Sequence, residues 1–501
     1  MILLVMLGLA LLAAVSSALA RARRAPQAIT VSSSIAILIL ALIAAARVVG
    51  GAHVAVVRAS VSVDGLSMLI VLLVALVGAT ASVYSWGYME RTYAREPARL
   101  RLYYANYNVF VFAMMAIPMV AEPTAVWILV ELTTLSSALL VSFENTEAAL
   151  EAAWKYVALS LMGAGIALLG FLVLFAAMQA GGGTSYTWAG LLAAAPRMPP
   201  ALLKTSFLLI VVGLGTKVGF VPLHTWLPDA HSQAPSPICA LLSGIETTSI
   251  LYVILRLLPV LDASPAAAVV RWLPTFGLVS VGAAALLLLQ VRDYKRLFAF
   301  STVEHMGIIL VAAGLGSETA HYAALYQVVC HTVTKSFCFF AAGSVVLTVT
   351  TREIASVRGL IRISPAAGAS LWLGGLAIAG APPLAVFLSE FSILKAGLAE
   401  GRYVIVGLLA LFIVIAFFGV LLHVTRMVFG RAEEPSGAVV TTHSGARSGA
   451  PAGDAVIATA PALPRSCVAI LLLAGALVVA LGLYLPTSLY DLIRLAAQAV
   501  G

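Results

Sequence analysis

Apolar runs of about 20 residues recur along the whole chain, and short polar clusters separate them. Runs of that length match the apolar core of a bilayer when wound as α-helix. Short segments of alternating polarity, the sign of a membrane β-barrel, are absent. The pattern predicts an all-α polytopic membrane protein with about 14 helices. They cover roughly residues 2–20, 28–48, 64–89, 103–121, 123–142, 150–178, 202–220, 235–258, 269–290, 295–315, 319–349, 366–397, 403–429 and 465–486. The first is long enough to span and carries no cleavage signature, so it reads as a membrane helix and not a removable signal peptide.

Composition agrees. Of 501 residues, 62% are hydrophobic and 10% are charged, against about 25% charged in a soluble domain. That excludes a water-soluble globular enzyme, a disordered chain and a fibrous repeat. The net charge of +8 does not imply nucleic acid, because the basic residues lie between apolar runs. They concentrate in alternate connections. The odd-numbered ones hold Arg21, Arg23, Arg24, Arg91, Arg95, Arg99, Arg101, Lys155, Arg292, Lys295, Arg296, Arg352, Arg358, Arg362, Arg426 and Arg431, whereas the even-numbered ones hold mainly Arg58, Arg197, Arg271 and Arg402. Cytoplasmic loops collect Lys and Arg, so both termini are expected outside. Residues 431–463, rich in Gly, Ala, Ser and Pro, read as a flexible cytoplasmic linker. The cysteines Cys239, Cys330, Cys338 and Cys467 show no C-x-x-C spacing, so no metal or other cofactor is expected.

Ionisable residues inside the runs carry the chemistry. Each costs about 2.5–3.5 kcal/mol at a helix centre unless it pairs, meets water or stays neutral. Glu131 lies mid-run, with Thr134 on its face. Lys217 ends the seventh run, bracketed by Gly213, Gly215, Gly219 and Pro222. Broken membrane helices occur where backbone lines a cavity or faces protein, and a Lys there can yield its proton. Gln327, His331 and Lys335 repeat at i, i+4 along one face of the eleventh run. Glu390 follows Pro382-Pro383 in the twelfth. The seventh and twelfth runs thus share a break beside an ionisable group, a pointer to an ion path in an inverted-repeat transporter. Glu246, with Thr247 and Thr248, adds a polar step. Lys155, Glu304 and His305 stand at helix starts, as interfacial anchors or as path and gating residues. His224, Asp229 and His231 read as a Pro-rich cytoplasmic turn capping the next helix, not as metal ligands.

The stretch Val211–Pro237, with the core Gly-Thr-Lys-Val-Gly-Phe-Val-Pro-Leu-His-Thr-Trp-Leu-Pro-Asp-Ala-His, resembles the signature of the antiporter-like proton-pumping subunits. These occur in respiratory complex I, membrane-bound nickel–iron hydrogenases and Mrp-type Na+/H+ antiporters. The likeness runs over roughly residues 60–430. Glu131-Leu-Thr-Thr-Leu-Ser-Ser, Glu151-Ala-Ala-Trp-Lys-Tyr, Ser301-Thr-Val-Glu-His-Met-Gly and Phe387-Leu-Ser-Glu-Phe look like hydrogenase-4 component F and its formate-hydrogenlyase relatives. The resemblance implies fourteen spans, with spans 4–8 and 9–13 as inverted five-helix repeats, and hence units 1–102, 103–260, 261–430, 431–463 and 464–501. It implies an axis in which Glu131 pairs Lys217, His331 and Lys335 relay, and Glu390 lies at the exit. One departure stands out. Relatives often carry a Lys four residues before the Tyr that is Tyr252 here; this chain has Thr248, with Glu246 two residues earlier. Thr248 with water, or Glu246, would then bridge Lys217 to His331.

The function expected is proton translocation by a membrane subunit of a hydrogenase-4/formate hydrogenlyase or complex I-like oxidoreductase. The subunit itself performs no redox step. Its expected partners are other membrane subunits, lipid and protons. The rival is an Mrp-type Na+/H+ antiporter subunit without a redox partner.

Overall fold

The computed structural model describes residues 1–51, 54–56, 60–431 and 462–501. The expected linker at 431–463 and the basic residue Arg58 fall almost wholly outside the described residues. Among the described residues the fold is almost entirely helical, with one short antiparallel pair, Val54–Val56 with Val61–Val63.

Among the described residues, twelve helices are long and apolar enough to cross a membrane. They include Pro123–Glu144, Glu147–Ala180, Pro200–Val218, Ser236–Asp262, Tyr294–Leu315 and Glu318–Val349. Two of the fourteen expected stretches are helical but fall short of that standard. Pro97–Ala116 carries Arg99, Arg101, Asn106 and Asn108, and the stretch beginning at Pro365 is cut into Pro365–Ile378 and Ala385–Ala399. The cut lies where Pro382 and Pro383 remove backbone donors.

Local chemistry sets the ends. The side chain of Asp64 accepts from Ser67 N at 2.9 Å, and that of Asp293 accepts from Lys295 N at 2.7 Å, each satisfying an N–H that the first turn leaves free. Gly219, at φ +95°, ends Pro200–Val218 in a left-handed conformation that L side chains rarely adopt. Helices then meet through small residues. A Cβ at Gly163 would lie 2.6 Å from Gly213 O, so Glu147–Ala180 and Pro200–Val218 approach backbone to backbone, a common solution where lipid offers no hydrophobic drive.

Ser236–Asp262, Tyr294–Leu315 and Glu318–Val349 form the centre and are buried nearly all round. Ile2–Leu19 and Tyr403–Phe429 lie outermost and expose apolar side chains such as Leu12 and Phe418, as lipid-facing helices do.

Two features differ from the sequence reading. Trp226–Gln233 is a two-turn helix, not a turn; Asp229 lies in its first turn and forms ion pairs, and His231 bonds to Leu227 O at 2.8 Å within the helix. A final helix, Thr487–Gln498, follows the last apolar run. It is too polar for an apolar-run search, and it buries only Leu492, Ile493, Ala496 and Ala497.

Candidate functional site

Lys217 sits in the last turn of its helix and is 3% exposed. Its ammonium donates to Val130 O at 2.9 Å, Thr133 Oγ1 at 2.6 Å and Thr134 Oγ1 at 2.6 Å. Those three acceptors share one face of Pro123–Val141 at i, i+3 and i+4. The counter-ion is Glu246, whose Oε1 lies 3.2 Å from Nζ. Tyr156 completes the cage. Its hydroxyl donates to Glu246 Oε1 at 3.0 Å and lies 2.7 Å from Ser137 Oγ, and its ring faces the ammonium at 5.9 Å.

Lys217 is therefore paired with Glu246 and not with Glu131, the partner expected from the sequence. The Val130 carbonyl and the two threonine hydroxyls take up the three N–H donors of the ammonium. Both Glu131 oxygens are buried without a hydrogen bond, and the charges that act on this carboxyl are those of Lys217 and Glu246.

Glu246 closes a π-helical turn, Leu242–Glu246, inside Ser236–Asp262. Such a turn widens the helix and turns carbonyls outward. Here Ser243 O accepts from His331 Nε2 at 3.2 Å, and Gly244 O accepts from Thr332 Oγ1 at 2.9 Å. Thr248 donates back to its own helix, to Ile245 O at 2.9 Å and Gly244 O at 3.1 Å. The π turn thus joins the Lys217 cluster to the helix carrying His331.

The second cluster is equally buried. His331 lies ring to ring with His305, at 5.3 Å between centroids. Lys335 donates to Phe298 O and Ser301 Oγ and has no carboxylate within ion-pair distance among the described residues. Glu304 and Glu390 are buried and likewise lack an ion pair among the described residues. Glu390 fills the space over Gly380, where a Cβ would collide with its Oε2. His305, Gln327 and Ser389 form a hydrogen-bonded chain between these groups.

Of the remaining expected residues, Lys155 lies apart from both clusters. It is exposed and pairs with Glu151 at 2.7 Å and Asp229 at 3.2 Å, and Arg296 joins Asp229 at 2.5 Å. His224 stands half-buried in the connection before Trp226–Gln233, where burial holds its imidazole below the usual histidine value. Sequence reasoning passed over Tyr156, whose aromatic ring is unremarkable in an apolar run. It also passed over Lys295, grouped with its neighbours Arg292 and Arg296 as a loop cation. Lys295 is in fact buried, bonded to Ala234 O at 2.6 Å and Ser232 O at 3.1 Å. The carbonyl end of Trp226–Gln233 attracts it.

Comparison with known proteins identifies the family. Residues 122–416 match the family model described as NADH:quinone oxidoreductase/Mrp antiporter, TM, and residues 53–97 match one described as NADH-Ubiquinone oxidoreductase (complex I), chain 5 N-terminus. The chain is 37% identical over 382 residues to a hydrogenase-4 component F homolog of Methylacidiphilum infernorum, covering 75% of this chain and 79% of that one. It is 29% identical to hydrogenase-4 component B of Escherichia coli K12, over 66% of this chain and 49% of that one. It thus spans only about half the length of the latter. The fold superposes on a chain of the membrane-bound sulfane sulfur reductase, an archaeal respiratory membrane complex, with TM-score 0.84 and 22% identity, covering 100% and 96% of the two chains. It superposes equally on a chain of the Mrp complex from a Dietzia species, with TM-score 0.83 and 19% identity, covering 99% and 98%. The chain belongs to the NADH:quinone oxidoreductase/Mrp antiporter family and is an antiporter-like integral membrane subunit.

Proposed function

We propose that this subunit translocates protons within a hydrogenase-4/formate hydrogenlyase or complex I-like redox complex, along Glu131, Lys217, Glu246, His331, Lys335 and Glu390. The observation that carries the reading is the buried Lys217–Glu246 pair, linked through one π turn to a second buried cluster. So many ionisable groups inside an apolar bundle are costly unless they serve a path.

The geometry suggests how the path is driven. Glu246 and the surrounding acceptors hold Lys217 charged. Glu131 has no hydrogen bond to keep it in place, so a charge change in a neighbouring subunit acts on it first. When Glu131 moves away, the carboxylate field around the buried Lys217 weakens, which favours its neutral form. The proton then passes by Glu246, with Thr248 and ordered water completing the step, to His331, Lys335 and Glu390. Glu304 and His305 flank that relay, whereas Lys155 acts at the surface. No covalent bond beyond N–H and O–H is made or broken, and the energy comes from redox subunits elsewhere in the complex. The proposal keeps two inverted five-helix repeats about the two helix breaks, with both termini outside the plasma membrane.

Replacing Lys217 by Ala should abolish proton pumping in vesicles carrying the assembled complex while its subunits still co-purify. Unchanged pumping would refute the role. The second reading, an Mrp-type Na+/H+ antiporter subunit, draws on the 29% identity to Na(+)/H(+) antiporter subunit A1 of Staphylococcus aureus, over 42% of that protein. Under it, vesicles would exchange Na+ for H+ with no electron donor present.

A further inference from the structure

His305 is held at both ring nitrogens. Its Nε2 lies 3.1 Å from Ile378 O and its Nδ1 lies 2.9 Å from Gln327 Nε2. A carbonyl only accepts, so Nε2 carries the proton. An amide nitrogen only donates, so Nδ1 is the bare lone pair. The ring is therefore neutral. The amide is oriented in turn by Ser389, whose hydroxyl donates to Gln327 Oε1. All three side chains are fully buried.

A Gln side chain can turn its amide by half a rotation without moving anything else. In the turned position Oε1 faces His305 Nδ1 and accepts from it only if that nitrogen is protonated. Nε2 of Gln327 then donates to Ser389 Oγ. That hydroxyl has a place for its own proton, because Val386 O lies 2.9 Å away and Ala385 O 3.2 Å away. His305 keeps its bond to Ile378 O throughout. Each amide position therefore satisfies every ring nitrogen in one protonation state of His305 and leaves one unpaired in the other, and an unpaired buried polar group is costly.

We propose that Gln327 and Ser389 form a two-position switch that lets His305 alternate between imidazole and imidazolium as a stepping stone of the relay. The step is a proton transfer. An N–H bond breaks on the donor, the His331 imidazolium or the Lys335 ammonium, and one forms at His305 Nδ1 as the amide turns; when the amide turns back, that N–H bond breaks and an O–H bond forms on the Glu390 carboxylate, the last group of the relay. The switch is tied to both halves of the broken helix, since Ile378 ends one half and Ser389 sits in the other. Gln327 and Ser389 are positioning residues. The titratable groups nearest His305 are Glu304 on its own helix and His331 and Lys335 on the neighbouring one, with Glu390 of the broken helix acting on Glu304; of the other elements packed on Tyr294–Leu315, Trp226–Gln233 brings Asp229 and His231, Tyr403–Phe429 brings His423 and Arg426, and Leu273–Leu288 brings none.

This inference deepens the proton-translocation reading, but its test does not depend on pumping. The full-length chain, labelled with 15N-histidine and reconstituted in lipid, is titrated by solid-state NMR, with His305→Asn used to assign the resonance. Neutral His305 is expected as the Nε2-protonated tautomer. Gln327→Glu supplies a fixed acceptor and should raise the imidazolium-to-imidazole ratio at a given pH about tenfold, the weight of one charge-assisted bond. Gln327→Met should lower it by a similar factor. Opposite signs separate the switch from a packing role. An Nδ1-protonated neutral ring, or two variants that shift together or not at all, overturns the proposal. Should Lys217→Ala leave pumping intact, the translocation reading falls while the tautomer result still stands or fails by itself.

Discussion

At the residue scale the central fact is a buried ion pair. Lys217 and Glu246 are 3% and 0% exposed. Removing one partner strands a buried charge, at about 3–5 kcal/mol, whereas replacing both by apolar residues of similar size is often neutral or better. Glu246→Gln is therefore expected to lower the melting temperature of the purified subunit, and Lys217→Met with Glu246→Met to restore it. Both should be inactive in pumping. A thermal scan in detergent with a double-mutant cycle checks this, and additive losses would show that the two side chains do not interact. Five of the groups concerned, Lys217, Glu246, His331, Lys335 and Glu390, were legible as polar positions in apolar runs. Their pairing was not, because it depends on helix rotation and not on spacing. Thr133, Thr134 and Val130 present one face to Lys217 and leave Glu131 beside it.

At the scale of elements, two irregular turns place these side chains. The break before Ala385–Ala399 was visible as Pro382-Pro383, and the role of Gly380 there is steric. Its φ is +75°, and a Cβ would strike Glu390 Oε2. Gly380→Ala should therefore cost about 1–2 kcal/mol in backbone strain and push Glu390 off its position. A melting scan reads the first effect, and a drop in pumping without loss of assembly reads the second. The π turn Leu242–Glu246 had no such signature, since its residues are ordinary helix formers apart from Gly244 and nothing local favours a wide turn. It persists because Thr332 and His331 take up the carbonyls it turns out. Trp226–Gln233 was misread for a related reason. The prolines in and around it suggested a turn, but the one inside it, Pro228, falls within the first turn, where the missing N–H costs nothing.

For the whole molecule, the question is which end of the bundle faces the cytoplasm. Polar contacts tie the Arg-rich connections to one another. Arg24 pairs Glu90 at 2.8 Å, Lys155 and Arg296 share Asp229, and Arg352 reaches Ser232 O and Gln233. These residues come from alternate connections, so the alternate connections gather at one end. At the opposite end Arg256 pairs Asp64, and the terminal Gly501 packs against His321. Retention of Lys and Arg on the cytoplasmic side is the basis for the proposed orientation, with both termini outside. All four native cysteines are buried, so an introduced thiol can be read against a low background. Arg402→Cys should react with a membrane-impermeant maleimide added to intact cells or spheroplasts, and Arg95→Cys only after permeabilisation; both positions are exposed. The reverse pattern would invert the bundle. Protons would then have to leave towards the end where Lys155, Asp229 and Arg296 lie, and Glu390 could no longer be the exit residue.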